Sequence, residues 1–251
     1  MEINVIPKFV DNALGAPAQS VGNTLSNIWE LAIGSHTSLW IKKQEIRQQQ
    51  NLQDYIKKVE EKTQSIPEEN LSEPPMHIVG PAIEASKYYI DSEDLREMFA
   101  NLIASSVDNR KTDITHPSFV EIIKQMSPLD ASLLMEIKSV DRLPIAQIKL
   151  TDQEKGSILH QNHVVNFLTA KNQYKNLASS LSNLYRLGLI NIDYSLFLTA
   201  EDSYNYIEMH PAYKEAIEKI KILYPNRFVD NQKGVFEKTP LCEDFVKVCL
   251  S

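Results

Sequence analysis

The residues of this chain whose types and spacing could do chemistry fall in three places. Arg110 and His116 stand six apart. On neighbouring turns of a helical bundle, a guanidinium could hold phosphate charge while an imidazole moves a proton near neutral pH, the working parts of a ribonuclease centre. The same histidine precedes Pro117 and could instead close a helix N-terminus. His160 and His163 form an HxxH pair. One helical turn would bring them to a shared metal, but a third ligand is needed and no nearby Cys or Glu pattern supplies one, so no metal and no cofactor are expected. Third, the stretch after Lys171 carries Lys171, Lys175, Asn176, Asn183 and Arg186 with no acidic residue from 171 to 187. On one helix these side chains suit phosphates and base edges, as in a DNA-binding regulator. There is no GK[ST] phosphate loop, dinucleotide-binding glycine fingerprint, CxxC, Gly-x-Ser-x-Gly elbow or HExxH, which favours a non-enzymatic role.

The elements that must carry these residues are mostly helical. The chain has 251 residues, 43% of them apolar, with only 7 glycines. From Asn12 to Trp29 there is no charged side chain. Leu14, Ala18, Val21, Leu25, Ile28 and Ala32 recur at spacings of 4, 3, 4, 3 and 4, one stripe of a helix. Gly15, Pro17 and Gly22 weaken that helix, so it needs a partner surface. Leu14, Val21, Leu25, Ile28 and Trp29 are therefore candidates for an oligomer interface, and residues 12–33 for a membrane-surface contact, although the polar face lacks the Lys and Arg usual there. Ile41 to Ile66 is polar, with Leu52, Tyr55, Val59 and Ile66 as its seam, and reads as a long surface helix or a short coiled-coil arm. The prolines at 67, 74 and 75 read as a linker.

Asp91 and Ser92 then open a helix with Leu95, Met98, Phe99, Leu102, Ile103 and Ser106 on one face. Further helices follow after His116-Pro117 and Ser127-Pro128. Residues 143–150 alternate as a strand, 173–187 form a helix closed by Gly188, and two β-like stretches, 189–194 and 234–238, flank an insertion with a helix over 211–223. Helix, strand and returning strand is the order of a winged helix. The predicted fold is mainly α, a helical bundle with a C-terminal winged-helix-like α+β module. Its parts are an N-terminal apolar helix and polar arm (1–66), a linker (67–77), a central bundle (78–141) and the C-terminal module (142–251) with insertion 195–232.

The formal net charge is -7, the wrong sign for a protein that coats nucleic acid. Cys242 and Cys249 are the two cysteines. Seven residues along a helix sets them roughly 10 Å apart, too far for a disulfide, so they read as buried thiols in a reducing compartment. With no apolar run of spanning length and no signal-peptide pattern, a cytoplasmic protein is expected.

The run Asp94-Leu95-Arg96-Glu97-Met98-Phe99-Ala100-Asn101-Leu102-Ile103-Ala104-Ser105-Ser106-Val107-Asp108 carries a resemblance, followed by His116-Pro117-Ser118-Phe119-Val120-Glu121-Ile122-Ile123 and Leu129-Asp130-Ala131. The Leu184 to Ile190 segment and the closing Thr239-Pro240 to Cys249 helix fit the same pattern. These stretches resemble the Abi-alpha family of bacterial abortive-infection proteins. The resemblance implies phage defence, in which the infected cell dies or stalls before the phage spreads. It brings no catalytic residue or ligand with it. Partners are then expected to be further copies of the chain or a defence-system protein.

Overall fold

The computed structural model describes residues 7, 9, 15–34, 46–167 and 174–250. They divide into two compact units, Met1–Pro128 with Asp244–Ser251, and Leu129–Glu243. The chain leaves unit 1 after Pro128 and re-enters it at Asp244, so both ends of unit 2 are tied to unit 1. The four-part division read from the sequence draws its lines elsewhere.

Unit 1 is helical. Helix α1 is Ala16–Trp29, with Pro17 in its first turn and a π-helical turn, Glu30–Gly34, behind it. Its apolar stripe is buried: Ala18, Val21, Leu25, Ile28 and Trp29. Phe9, Trp29 and Tyr55 form a tilted aromatic stack, with ring centroids 5.7 and 5.5 Å apart. Tyr55 belongs to α2, Ile46–Gln64, whose predicted seam of Leu52, Tyr55 and Val59 is also buried.

Residues 67–75 hold a short 3-10 helix, Glu68–Asn70. An isolated bridge then joins Leu71 to Asp108, and the Ser72 N–H donates to the Val107 carbonyl at 2.9 Å. Next come α3, Met76–Ser86; α4, Glu93–Ser106; a 3-10 helix, Asn109–Ile114; and α5, Ser118–Lys124.

Helix α4 is the axis of this unit. The expected face of Leu95, Met98, Phe99, Leu102, Ile103 and Ser106 is buried, and so are Arg96, Ala100, Asn101, Ala104 and Ser105. Helices α2, α3 and α5 all pack on it, and a helix with neighbours on several sides buries more than one stripe. Most of its polar groups are matched. Arg96 reaches the Ile90 carbonyl at 2.5 Å and Asp54 at 2.9 Å, and Glu97 takes Lys58 at 2.8 Å and Lys62 at 2.6 Å.

The last helix of the chain, α10, Pro240–Cys249, ends against α4. The last carbonyls of a helix have no partner within it. Here Asn101 Nδ2 donates to the Cys249 carbonyl and Ser105 Oγ to that of Val248, both at 2.9 Å. Lys111 Nζ reaches the Lys247 carbonyl at 3.2 Å. Phe245 meets Phe119 edge-on, with centroids 5.2 Å apart.

Unit 2 is built on a four-stranded antiparallel sheet of order β2-β1-β4-β3. The strands are β1, Arg142–Asp152; β2, Gly156–Val164; β3, Ile190–Asp193; and β4, Phe228–Lys238. Helix α6, Pro128–Ile137, precedes them, and α7, Tyr174–Arg186, lies between β2 and β3. Helices α8, Tyr206–Met209, and α9, Pro211–Leu223, fill the insertion.

One sheet face is apolar. Ala146, Ile148, Leu150 and Val164 form a core there with Tyr204, Ile207, Ala212 and Ala216. Gly188 ends α7 as expected, at φ +74, with the Gly188 N–H on the Tyr185 carbonyl and the Leu189 N–H on that of Leu184, both at 3.0 Å. That is the Schellman pattern, and it favours glycine.

Two outcomes test this packing. Asn101→Ala leaves the buried Cys249 carbonyl without its donor. It should cost about 1 to 3 kcal/mol, read as a lower urea midpoint at unchanged slope. The second concerns acid. Burial alone would raise the Glu97 carboxyl, but the Lys58 and Lys62 ammonium groups that donate to it overrule this and hold it below its ordinary value of 4.5. A depressed carboxyl stabilises the fold above its unfolded value and loses that contribution as pH falls through the folded one. Glu97→Gln should therefore lower the melting temperature at pH 7 and flatten its decline below about pH 4.5.

Candidate functional site

The structure gives most of the sequence-predicted side chains a position. Arg110 forks onto Asp108, with Nε on Oδ1 at 2.8 Å and Nη2 on Oδ2 at 2.6 Å. Asp108 is buried and also accepts from the Arg110 backbone N–H, and these bonds hold its carboxyl below the ordinary range. His116 is exposed and caps α5. Its Nδ1 accepts from the Ser118 N–H at 3.1 Å and lies 2.7 Å from the Ser118 hydroxyl, while its ring leans on Phe119. Both residues of the expected ribonuclease pair thus hold local structure.

The α7 side chains have acidic neighbours that the linear stretch lacks. Lys175 pairs with Glu215 of α9 at 3.4 Å, and the Tyr174 hydroxyl donates to the same carboxylate. These two donors hold Glu215 below its ordinary value. Arg186 donates to Asn183 Oδ1 at 2.7 Å, and Asn183 in turn donates to Asp130, a buried carboxylate of α6, at 2.9 Å. Asn176 is exposed. Lys171 lies outside the described residues. Lys175 of this helix is thus paired with a carboxylate, which weakens the helix's case as a phosphate-binding stripe.

Val21, Leu25, Ile28 and Trp29 are at most 5% exposed, so they are core of unit 1 and offer no surface to another copy or to a membrane. Leu14 lies outside the described residues. Among the described residues no helix is long and apolar enough to cross a membrane. Cys242 and Cys249 are free and buried, with the Cys242 thiol pushed up to about 12 by desolvation.

The main correction is β2, which the sequence reading leaves out. His160 and His163 are on this strand and not on a helix. The register slips twice along β2 against β1, once on each side of the Ile148–Gln161 pair. Each slip gives β2 one extra residue, a β-bulge. His160 falls within one slipped interval and His163, at φ 51, within the other. Among the described residues no three His, Cys, Asp or Glu side chains come together to hold a metal. The missed signal was Asp152 and Gly156 bracketing three residues. Asp152 Oδ1 accepts the Glu154 and Lys155 N–H groups at 2.9 and 3.1 Å, and Gly156 takes φ +76. That is a three-residue hairpin turn.

On the sheet face away from α9, the histidine bulge organises a polar network. Tyr194 OH donates to Asn162 Oδ1 at 3.2 Å and Gln147 Nε2 donates to the same atom at 2.9 Å. A phenol has one proton, so the 2.9 Å contact to His163 Nδ1 is donated by the imidazole, and Asn162 Nδ2 donates to Nε2 at 3.1 Å. Desolvation lowers the His163 pKa, which agrees with this neutral tautomer, and burial pushes the Tyr194 phenol up. Lys149 donates to Gln232, which donates to the Tyr194 carbonyl at 3.0 Å. These bonds hold the His163 ring, Asn162 and Tyr194 in fixed orientations.

The apolar end of the same sheet is exposed. The register sets Leu150 between Ile158 and Val229, and Thr151 between Ser157 and Phe228. Helix α9 packs on β1, β2 and β4, and its C-terminus carries Ile222 and Leu223. Ile158 is 44% exposed, Leu159 50%, Ile222 75% and Leu223 60%, with Phe228 also open.

A family model described as Abortive infection alpha matches residues 47–249. The chain belongs to the abortive infection alpha family. The family match begins within α2 and ends on Cys249, so it takes in α4, the carbonyls that Asn101 and Ser105 cap, and the whole of unit 2. No curated protein matches the chain. A solved structure of an uncharacterized protein from the hydrocarbon-degrading marine bacterium Alcanivorax borkumensis SK2 is similar at 12% identity and a TM-score of 0.37, over 57% of this chain and 96% of that one.

The Tyr194 ring lies across β4 at Gly234. A Cβ there would sit 2.6 Å from Tyr194 Cδ1 and 2.9 Å from the Asp193 carbonyl oxygen. Gly234→Ala should therefore cost about 1 to 3 kcal/mol and disturb the His163 network. Chemical denaturation gives the first effect, and the His163 ring signals in an NMR pH titration give the second.

Proposed function

We propose that this abortive infection alpha protein defends against phage through protein–protein contacts, with unit 2 as its contact module. The observation that carries this is the set of exposed apolar side chains at one end of the unit 2 sheet: Ile158 on the face under α9, with Ile222 and Leu223 at the end of that helix, and Leu159 and Phe228 on the opposite face. Exposed apolar side chains gathered at one end of a sheet are costly to leave in water and mark sites that a partner covers. The order of α7, β3 and antiparallel β4 supports reading unit 2 as a winged-helix-like module carrying the insertion over 195–232. Winged helices serve in protein contact as well as DNA contact, and the pairing of Lys175 with Glu215 favours the former.

Plaque counts and cell survival at low and high phage dose test the reading. Cells expressing the intact chain should show fewer plaques, and at high dose they should stop growing. His116→Ala and Lys175→Ala should protect as the intact chain does, whereas Ile222→Lys with Leu223→Lys should lose protection at an unchanged melting temperature. Lost protection in a folded His116→Ala chain would move the ribonuclease reading to first place. Retained protection in the double-lysine chain would remove the contact surface named here.

A further inference from the structure

We infer that the outer edge of β2 pairs with the same edge of a second copy of this chain, about a two-fold axis through Ile158. The inference rests on the contact reading above and names its partner. Among the described residues, strand β2 ends the sheet and pairs only with β1, so alternate N–H and C=O groups along its outer side face away from the sheet. Edge strands are ordinarily guarded by Lys, Glu, proline or an inward charge. From Gly156 to Val164 there is neither a proline nor an Asp, Glu, Lys or Arg. The charges beside it are in the turn, at Asp152, Glu154 and Lys155, and at Arg227, whose Nη1 donates to the Gly156 carbonyl at 2.8 Å. The bulges at His160 and His163 end the regular ladder, so the edge free for pairing is Ser157 to Leu159.

Two observations favour a second copy over a foreign strand. The first is charge. Each chain carries -7, and like-charged copies meet at least cost where the surface is uncharged, as β2 is. The second is self-complementarity. A two-fold axis perpendicular to an antiparallel pair sets a residue against its own counterpart on the same face. Ile158 lies opposite Leu150 on the apolar face. Paired with the partner's Ile158, it would continue that core across the axis, flanked on both sides by the exposed end of α9. Ser157 would meet the partner's Leu159 on the other face. Two four-stranded sheets become one of eight strands, and the exposed backbone groups gain partners.

The test is the mass of the full chain by light scattering between about 1 and about 100 μM, a range that brackets a small interface. The mass should rise from one chain toward two. Ile158→Lys and Leu159→Lys should each hold it at one chain with circular dichroism and melting temperature kept. Asn191→Lys, on the opposite edge strand β3, should leave the rise intact. Ile158→Cys gives a readout that does not depend on tolerating a charge. Opposed Cα atoms in such a pair come within disulfide range, and the native cysteines are buried, so mild oxidation should link two chains through this position and not through Asn191→Cys. A mass of one chain across the range, a rise that survives Leu159→Lys, or no excess cross-linking at 158 would each overturn the pairing. A single-chain mass together with phage protection lost on Ile222→Lys and Leu223→Lys would leave the contact reading standing with a different partner. A single-chain mass with protection lost on Leu159→Lys would assign the edge to a strand of another protein.

Discussion

The end of helix α10 is the constraint on which the rest of the chain depends. A helix that stops inside a protein leaves its last carbonyls without partners, and burying them unpaired is expensive. Asn101, Ser105 and Lys111 supply the donors, and two of them stand on the most buried helix of unit 1. The cap can form only after the chain has passed through unit 2 and come back. Unit 2 is therefore a closed excursion, leaving at Pro128 and returning at Asp244. Its sequence is free to vary in loops and insertions only as far as both ends still meet that condition. The buried edge-to-face pair of Phe119 and Phe245 adds apolar area to the same closure.

Within unit 2 the sheet has two opposite faces with separate roles. The face under α9 is a conventional apolar core, and tyrosines of the insertion stitch it to the strands. Tyr204 OH donates to the Gly234 carbonyl at 2.7 Å, and Tyr206 OH to that of Val164 at 2.9 Å. The opposite face carries the polar network around His163. The left-handed backbone at this histidine is unusual for a residue with a Cβ, and the bonds from both ring nitrogens offset the strain. The bulges that bring the histidines there also twist the edge strand and limit how much of it another strand can use.

The functional reading follows from what the charges do once folded. Lys175, part of a stretch that looks basic along the chain, is paired with Glu215 brought in from α9, and Arg186 is held by Asn183, whose amide donates to Asp130. Unit 2 also leaves apolar side chains open, at one end of its sheet and at the tail of α9. The proposal of protein contact rests on that uncovered apolar end, in a chain of net charge -7 that belongs to the abortive infection alpha family.

The sequence by itself determined what depends on near neighbours. The 3.6-residue period located the buried stripe of α1, the seam of α2 and the first face of α4. Gly188 marked the end of α7 because only a left-handed cap fits there, and the Asp94 to Asp108 run carried the family. Local spacing could not decide whether the α1 stripe was covered by its own chain or by another copy, since either satisfies the same pattern, and the fold buried it. Nor could it show that α4 is packed on several sides, because Asn101 and Ser105 look like a solvent face until α10 arrives more than a hundred residues later. Strand β2 was hidden for a related reason. Its bulges break the two-residue alternation that identifies a strand, so its histidines mimicked a helical pair. The tertiary structure alone decided which charges cancel and which apolar side chains remain in water, because both depend on pairings between residues far apart in the chain.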